Sequence, residues 1–122
     1  MEPRNLIYAE TVSNTLVYAT DEPSENCNAN HQFEIVVDGG DCQARLQTIN
    51  LQNGPIKENG NNGIFMEHMI AICIDTLKKF QTSKYQCREN AIAITKLEEA
   101  MMWLNKRTSE RIARGVEGTN IV

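Results

Sequence analysis

Several features that would carry an obvious function are missing from this chain. Its four cysteines, Cys27, Cys42, Cys73 and Cys87, form no Cys-x-x-Cys pair. That spacing is what a zinc ribbon or a thioredoxin-like redox site requires. Cys27, His31 and Cys42 make a C-x3-H-x10-C series, which also lacks the paired ligands of a zinc site. Met1 is followed by polar, strand-like sequence rather than a basic segment and an apolar run, so no secretory leader is expected. No apolar stretch approaches the roughly 18 residues of a membrane-spanning helix. Reduced thiols and a cytosolic setting follow as the expectation. Histidine is scarce too. His31 and His68 are the only two, and Glu67-His68 has no second histidine four residues on, so the HExxH metalloprotease arrangement is excluded. No catalytic group, metal or cofactor is expected.

A broad basic surface is also lacking. The net charge is −4 over 122 residues. Residues 1–60 carry 9 acidic and 3 basic side chains, whereas residues 84–114 carry 4 acidic and 7 basic ones. An acidic front half argues against a protein that coats a nucleic-acid polymer. A local basic region on an acidic chain suits a small anion better.

What is present divides into two halves of different period. Residues 5–11 (NLIYAET) and 15–20 (TLVYAT) are short, apolar and rich in β-formers, with Val12-Ser13-Asn14 as a hairpin turn. Residues 21–32 (DEPSENCNANHQ) read as an exposed loop. Residues 33–38 (FEIVVD) form a third strand, followed by a Gly39-Gly40-Asp41 turn. In residues 42–51 (CQARLQTINL), Ala44, Leu46 and Thr48 alternate with Arg45, Gln47 and Ile49, as in a half-buried edge strand. Residues 52–63 (QNGPIKENGNNG) have the composition of a flexible hinge loop.

The period then becomes helical. Met66, Met69, Cys73, Leu77 and Phe80, with Ile70 and Ile74, predict a first helix that Asn62 would cap. Residues 81–85 make a short turn, with Ser83 as a second candidate cap. A helix from about Gln86 to Arg114 follows, with Ile94, Leu97, Met101 and Leu104 as a coiled-coil-like seam. Gly115 would end it. The expected fold is α+β, a small N-terminal antiparallel β-core followed by a long C-terminal antiparallel helical hairpin. Residues 1–61 would form the β-core with its hinge, and residues 62–122 the hairpin and tail, as one structural unit.

Both ends of the second helix carry polar groups suited to a nucleotide. At 100° per residue, Arg107, Arg111 and Arg114 lie within about 60° of one another. Three planar guanidiniums on one stripe form either a solvated face or a phosphate clamp. Asn90 and Thr108 sit on the seam line, one at each end. An asparagine amide there either sets helix register or pairs with an adenine edge, and Phe80 across the turn either fills the hairpin core or stacks on a base. Asn90 and Arg107 are 17 residues apart, about 25 Å along one helix. A mononucleotide-sized ligand cannot touch both within one chain. If both serve one pocket, antiparallel packing of two chains must bring them together. Ile92, Met102 and Trp103 lie off the seam and favour such self-association.

Residues 87–119, CRENAIAITKLEEAMMWLNKRTSERIARGVEGT, carry a resemblance. The CREN start, the LEEAxxWL middle and the RTxxRxxRGVEGT close resemble the phage family of Thoeris anti-defence proteins, as does the preceding helix ending in Lys79-Phe80-Gln81. The likeness covers about the last 60 residues closely and the N-terminal half in outline. It departs at Ile64-Phe65-Met66, where the family has a more polar opening. The resemblance implies a sponge, which binds glycocyclic ADP-ribose made by bacterial TIR-domain enzymes without degrading it. It implies a homodimer, and in some members a trimer of dimers that also binds cyclic trinucleotides at a separate site, within the cytoplasm of the infected host. Phe80 and Asn90 would face adenine, and Arg107 and Arg111 the phosphates. Arg88, Thr108 and Thr119 are extensions of that set, and Lys57 is a candidate for the trinucleotide site.

Two other classes compete. A nucleotide-cleaving enzyme would need a positioned acid, base or metal. A small nucleic-acid-binding protein would place Glu98, Glu99 and Glu110 against phosphates.

Overall fold

A computed structural model describes residues 4–23, 29–119 and 121–122. The protein is α+β, with four strands followed by helices. It divides into two compact units, Met1–Ile64 and Phe65–Val122.

The first unit is an antiparallel sheet in the order β1-β2-β3-β4, formed by β1 (Asn5–Glu10), β2 (Thr15–Ala19), β3 (Gln32–Asp38) and β4 (Gln43–Asn50). The expected hairpin turn joins β1 to β2. Asn14 takes φ 54°, a left-handed conformation that asparagine tolerates better than most residues. The Glu10 carboxylate accepts the Val12 N–H at 3.0 Å and the Ser13 N–H at 2.7 Å, which holds the turn closed. Hydrogen bonds from Ser13, through its hydroxyl and its backbone, hold the Glu10 carboxyl below the usual glutamate range.

Pairing register sorts the side chains by face. Val17 pairs with Ile35, and Ala19 with Phe33, which continues to Ile49. Tyr18 pairs with Glu34 on the other face. There the Arg4 guanidinium lies 4.0 Å from the Tyr18 ring centroid, and Arg45 Nε is 2.6 Å from the Glu34 carboxylate. The core is small, with Ala19 and Val36 its buried apolar residues among those described.

Strict alternation along β4 does not hold. The pairing steps from Gln47 opposite Ile35 to Arg45 opposite Val36, so Leu46 bulges and is 56% exposed. Ala44 consequently shares a face with Gln47 and Ile49 rather than with Thr48. A matching bulge at Ile7 interrupts β1.

The polar segment after β4 is not an open connection. The Gln52 amide donates to the Gly60 carbonyl at 2.7 Å and accepts the Asn62 N–H at 3.0 Å. Asn53 and Asn62 exchange a further pair of 2.8 Å bonds. This cage encloses the single-turn helix α1 (Ile56–Asn59). Asn62 is thus committed to Asn53 and does not cap the following helix. Gly63 passes so close to Leu51 that a Cβ would stand 2.5 Å from its backbone carbon.

The second unit is the expected hairpin, α2 (Met66–Gln81) and α3 (Arg88–Ala113). Its entry is capped from within, as His68 Nδ1 accepts the Phe65 N–H at 3.0 Å. Ser83 closes α2 by donating to the Phe80 carbonyl at 2.7 Å, rather than capping α3, whose N-cap is Cys87. Half-buried Asn90, Ile94, Leu97, Met101, Leu104, Thr108 and Arg111 trace the inner stripe of α3. Neither helix contains a buried residue. Ile72, Met102 and Trp103 are each more than half exposed, at 66%, 58% and 56%. No helix of the described residues is long and apolar enough to cross a membrane.

Candidate functional site

The two ends of the hairpin hold most of the residues that the sequence singles out. At the tip, the reciprocal pair Gln81–Cys87 pins the turn. Gln81 Nε2 donates to the Cys87 carbonyl and Gln81 Oε1 accepts the Cys87 N–H, both at 3.0 Å. The pinned turn gathers Phe80 and Asn90 around Tyr85. The Phe80 and Tyr85 rings meet edge to face with centroids 6.3 Å apart, and Asn90 Nδ2 donates to the Tyr85 carbonyl at 3.4 Å. Phe80 remains 43% exposed, so its ring is open for stacking. The Asn90 Oδ1 acceptor makes no hydrogen bond among the described residues.

Tyr85 was not legible as a site residue. Its only signal is an aromatic in a polar turn. Arg88 occupies the first position of α3 and is exposed.

The other end is a concentration of positive charge. Arg107, Glu110, Arg111, Ala113, Arg114 and Val122 line an open depression of about 570 Å³. Arg107 is exposed and forms no hydrogen bond or ion pair among the described residues. Arg111 is turned inward, its side chain 23% exposed, with Glu117 3.4 Å from its Nε. Arg114 donates to the Val122 carbonyl at 2.7 Å. The Thr108 hydroxyl is used within the helix, donating to the Leu104 carbonyl at 3.3 Å. Thr119 accepts the Ile121 N–H at 3.3 Å and so helps to shape the segment after α3. Arg107 and Arg114 therefore carry the accessible charge of this end.

Chemically, the tip offers a π-face and an amide edge, and the far end offers guanidiniums. Those are the group types that nucleotide recognition uses. Both histidines lie outside this set. His31 Nδ1 is 2.8 Å from the Asp21 carboxylate, and His68 is held by the Phe65 backbone. Burial works against the charged form of Asp21, but the His31 and Gln32 backbone N–H groups outweigh it and hold its carboxyl below the usual range. Of the C-x3-H-x10-C series, Cys27 lies outside the described residues. Cys42 is exposed and free. No cluster of three or more metal-binding side chains occurs among the described residues.

Comparison with known proteins agrees with this architecture. Residues 43–109 match the model of the Acb2/Tad1 hairpin domain. A curated relative, Thoeris anti-defense 1 of Bacillus phage SBSphiJ7, is 44% identical over an alignment of 127 positions, which covers 87% of this chain and 89% of the relative. The family match spans β4, α2 and most of α3, including the hairpin tip and Arg107. Over half of its length and across both units, the chain belongs to the Acb2/Tad1 hairpin-domain family.

Proposed function

We propose that this protein is a phage anti-defence sponge. It captures glycocyclic ADP-ribose, the signal of the TIR-domain Thoeris system, in the cytoplasm of the infected host. It releases the molecule unchanged. The observation that carries this reading is the pairing of one stacking ring and one amide at the hairpin tip with an arginine cluster at the opposite end. Phe80 stacks on adenine and Asn90 reads its edge. Arg107 and Arg111 face the pyrophosphate, with Arg88, Thr108 and Thr119 at the margin.

The two ends are about 25 Å apart along α3. The binding unit is therefore a dimer in which the tip of one hairpin meets the arginine end of the other, giving two equivalent pockets. The exposure of Ile72, Met102 and Trp103 on a hairpin without buried residues supports that assembly. Enclosing the ligand between subunits slows its release, as a sponge requires.

The test is to incubate the protein with glycocyclic ADP-ribose, remove unbound ligand, denature the complex and analyse what is freed. Intact ligand at one molecule per chain is expected. Cleaved product would establish an enzyme instead, and absence of bound ligand would remove the reading.

A further inference from the structure

The chain that leaves α3 doubles back onto it. Gly115 turns with φ 71°, its N–H donating to the Ile112 carbonyl at 2.9 Å, and Val116 N–H returns to the Arg111 carbonyl at 3.0 Å. A second turn brings Thr119 N–H to the Val116 carbonyl at 3.1 Å. These are local bonds of a helix terminus. They do not by themselves hold the segment down.

Arg111 does. Its Nη1 donates to the Ile121 carbonyl at 2.7 Å, and its Nη2 to the Val116 and Thr119 carbonyls at 3.0 and 3.1 Å. Glu117 takes the third nitrogen as an ion pair. All three guanidinium nitrogens are directed at the tail. Arg107, one turn earlier on the same stripe, has no partner of this kind among the described residues. The arginines of one stripe thus do different work. A planar fork can serve several carbonyls at once, whereas a lysine presents a single compact charge.

The tail is also a wall of the arginine end, since Val122 lines the same depression as Arg107 and Arg114. We propose that Arg111 has a role beyond facing the anion: it latches the segment after Gly115 in place, and anion binding at this end depends on that latch as well as on arginine charge. The first half stands on the contacts alone. The second half rests on the ligand-capture reading, with Arg111 holding the tail and facing the anion from the same guanidinium.

Amide exchange in the ligand-free protein tests the latch. Thr119 N–H is the reporter, with helix content followed by circular dichroism as the folding control. Arg111→Lys should speed exchange at Thr119 at least tenfold, and Arg107→Lys should leave it unchanged. Parental protection in Arg111→Lys would overturn the latch. Equal acceleration in both variants would also overturn it, because the tail would then depend on the arginine stripe as a whole and not on the contacts of Arg111.

Gly115→Val tests the coupling. It keeps every arginine but strains the left-handed turn. Thr119 exchange should rise and affinity for glycocyclic ADP-ribose should fall at least tenfold. A loosened tail with parental affinity would refute the coupling. Gly115→Ala, a milder strain at the same position, serves if the valine variant does not fold. Should the parent protein bind no glycocyclic ADP-ribose, the ligand reading fails, and the exchange contrast between the two arginine variants still decides the role of Arg111.

Discussion

Gln81 and Cys87 exchange two hydrogen bonds of 3.0 Å across the hairpin tip, side-chain amide to backbone. One amide thus satisfies both backbone groups of Cys87 and fixes the turn that presents Phe80 and Asn90. Gln81→Ala removes both bonds. A loss of about 1 kcal/mol in unfolding free energy is expected, the net worth of an exposed pair of this kind. Chemical denaturation of parent and variant measures it. A larger loss of ligand affinity than of stability would show that the turn serves the site.

Phe80→Ala together with Asn90→Lys should abolish capture of glycocyclic ADP-ribose while the protein stays folded and assembled. A base stacked on an aromatic side chain contributes about 1–3 kcal/mol, so the ring alone accounts for a factor of roughly 5 to 150. Calorimetry against the parent protein reads this directly. Retained affinity would mean that adenine lies elsewhere.

A pocket shared between subunits has a distinctive genetic signature. Arg107→Glu chains and Asn90→Lys chains should each fail alone. Mixed and reassembled, they should recover one intact pocket per heterodimer. About half of the dimers in a randomly reassembled mixture are heterodimers, so titration should show about one quarter of the parental stoichiometry at near-parental affinity. No recovery would place each pocket within one chain.

Asp21 makes stability depend on pH. Its folded pKa is lowered from the ordinary 3.8 because the His31 and Gln32 backbone N–H groups outweigh burial. A lowered value means that the native state favours the carboxylate, so its contribution is complete above the unfolded value and fades as pH falls through the folded one. Asp21→Asn should lower the melting temperature at pH 7. The gap between variant and parent should narrow as the pH drops below about 3.8. A gap independent of pH would show that charge at Asp21 plays no part.

Gly63→Ala should destabilise the first unit by about 1–3 kcal/mol, the usual cost of forcing an extra carbon into occupied space. The new Cβ would meet the Leu51 backbone, which pairs with Ile64. Thermal unfolding measures the change, and a neutral result would show that the segment shifts freely.

Much of the architecture could be read from the chain because it is written in local composition and side-chain period. Short runs of β-formers bounded by turn residues marked β1 to β4 to within about two residues, and the seam through Ile94, Leu97, Met101 and Leu104 marked α3. What escaped depends on which of several available partners a group takes. The bulges at Ile7 and Leu46 arise from pairing register, which no single strand records. Asn62 and Ser83 look like helix caps, but Asn53 claims the first and the end of α2 the second. The contacts of Arg111 escaped for another reason. They go to backbone carbonyls, which every residue possesses, so the spacing of the arginines says nothing about them.

The bulges also have a consequence for abundance. A protein that works by capture must be made in numbers comparable with its ligand, and crowded sheet proteins are prone to polymerise along exposed edge strands. Here both outer strands, β1 and β4, are interrupted by an extra residue that breaks the regular row of backbone donors and acceptors. An incoming strand finds only short stretches in register on either side. The irregularities disfavour one sheet acting as a template for another, which matters most at the high dose that the proposed capture would demand.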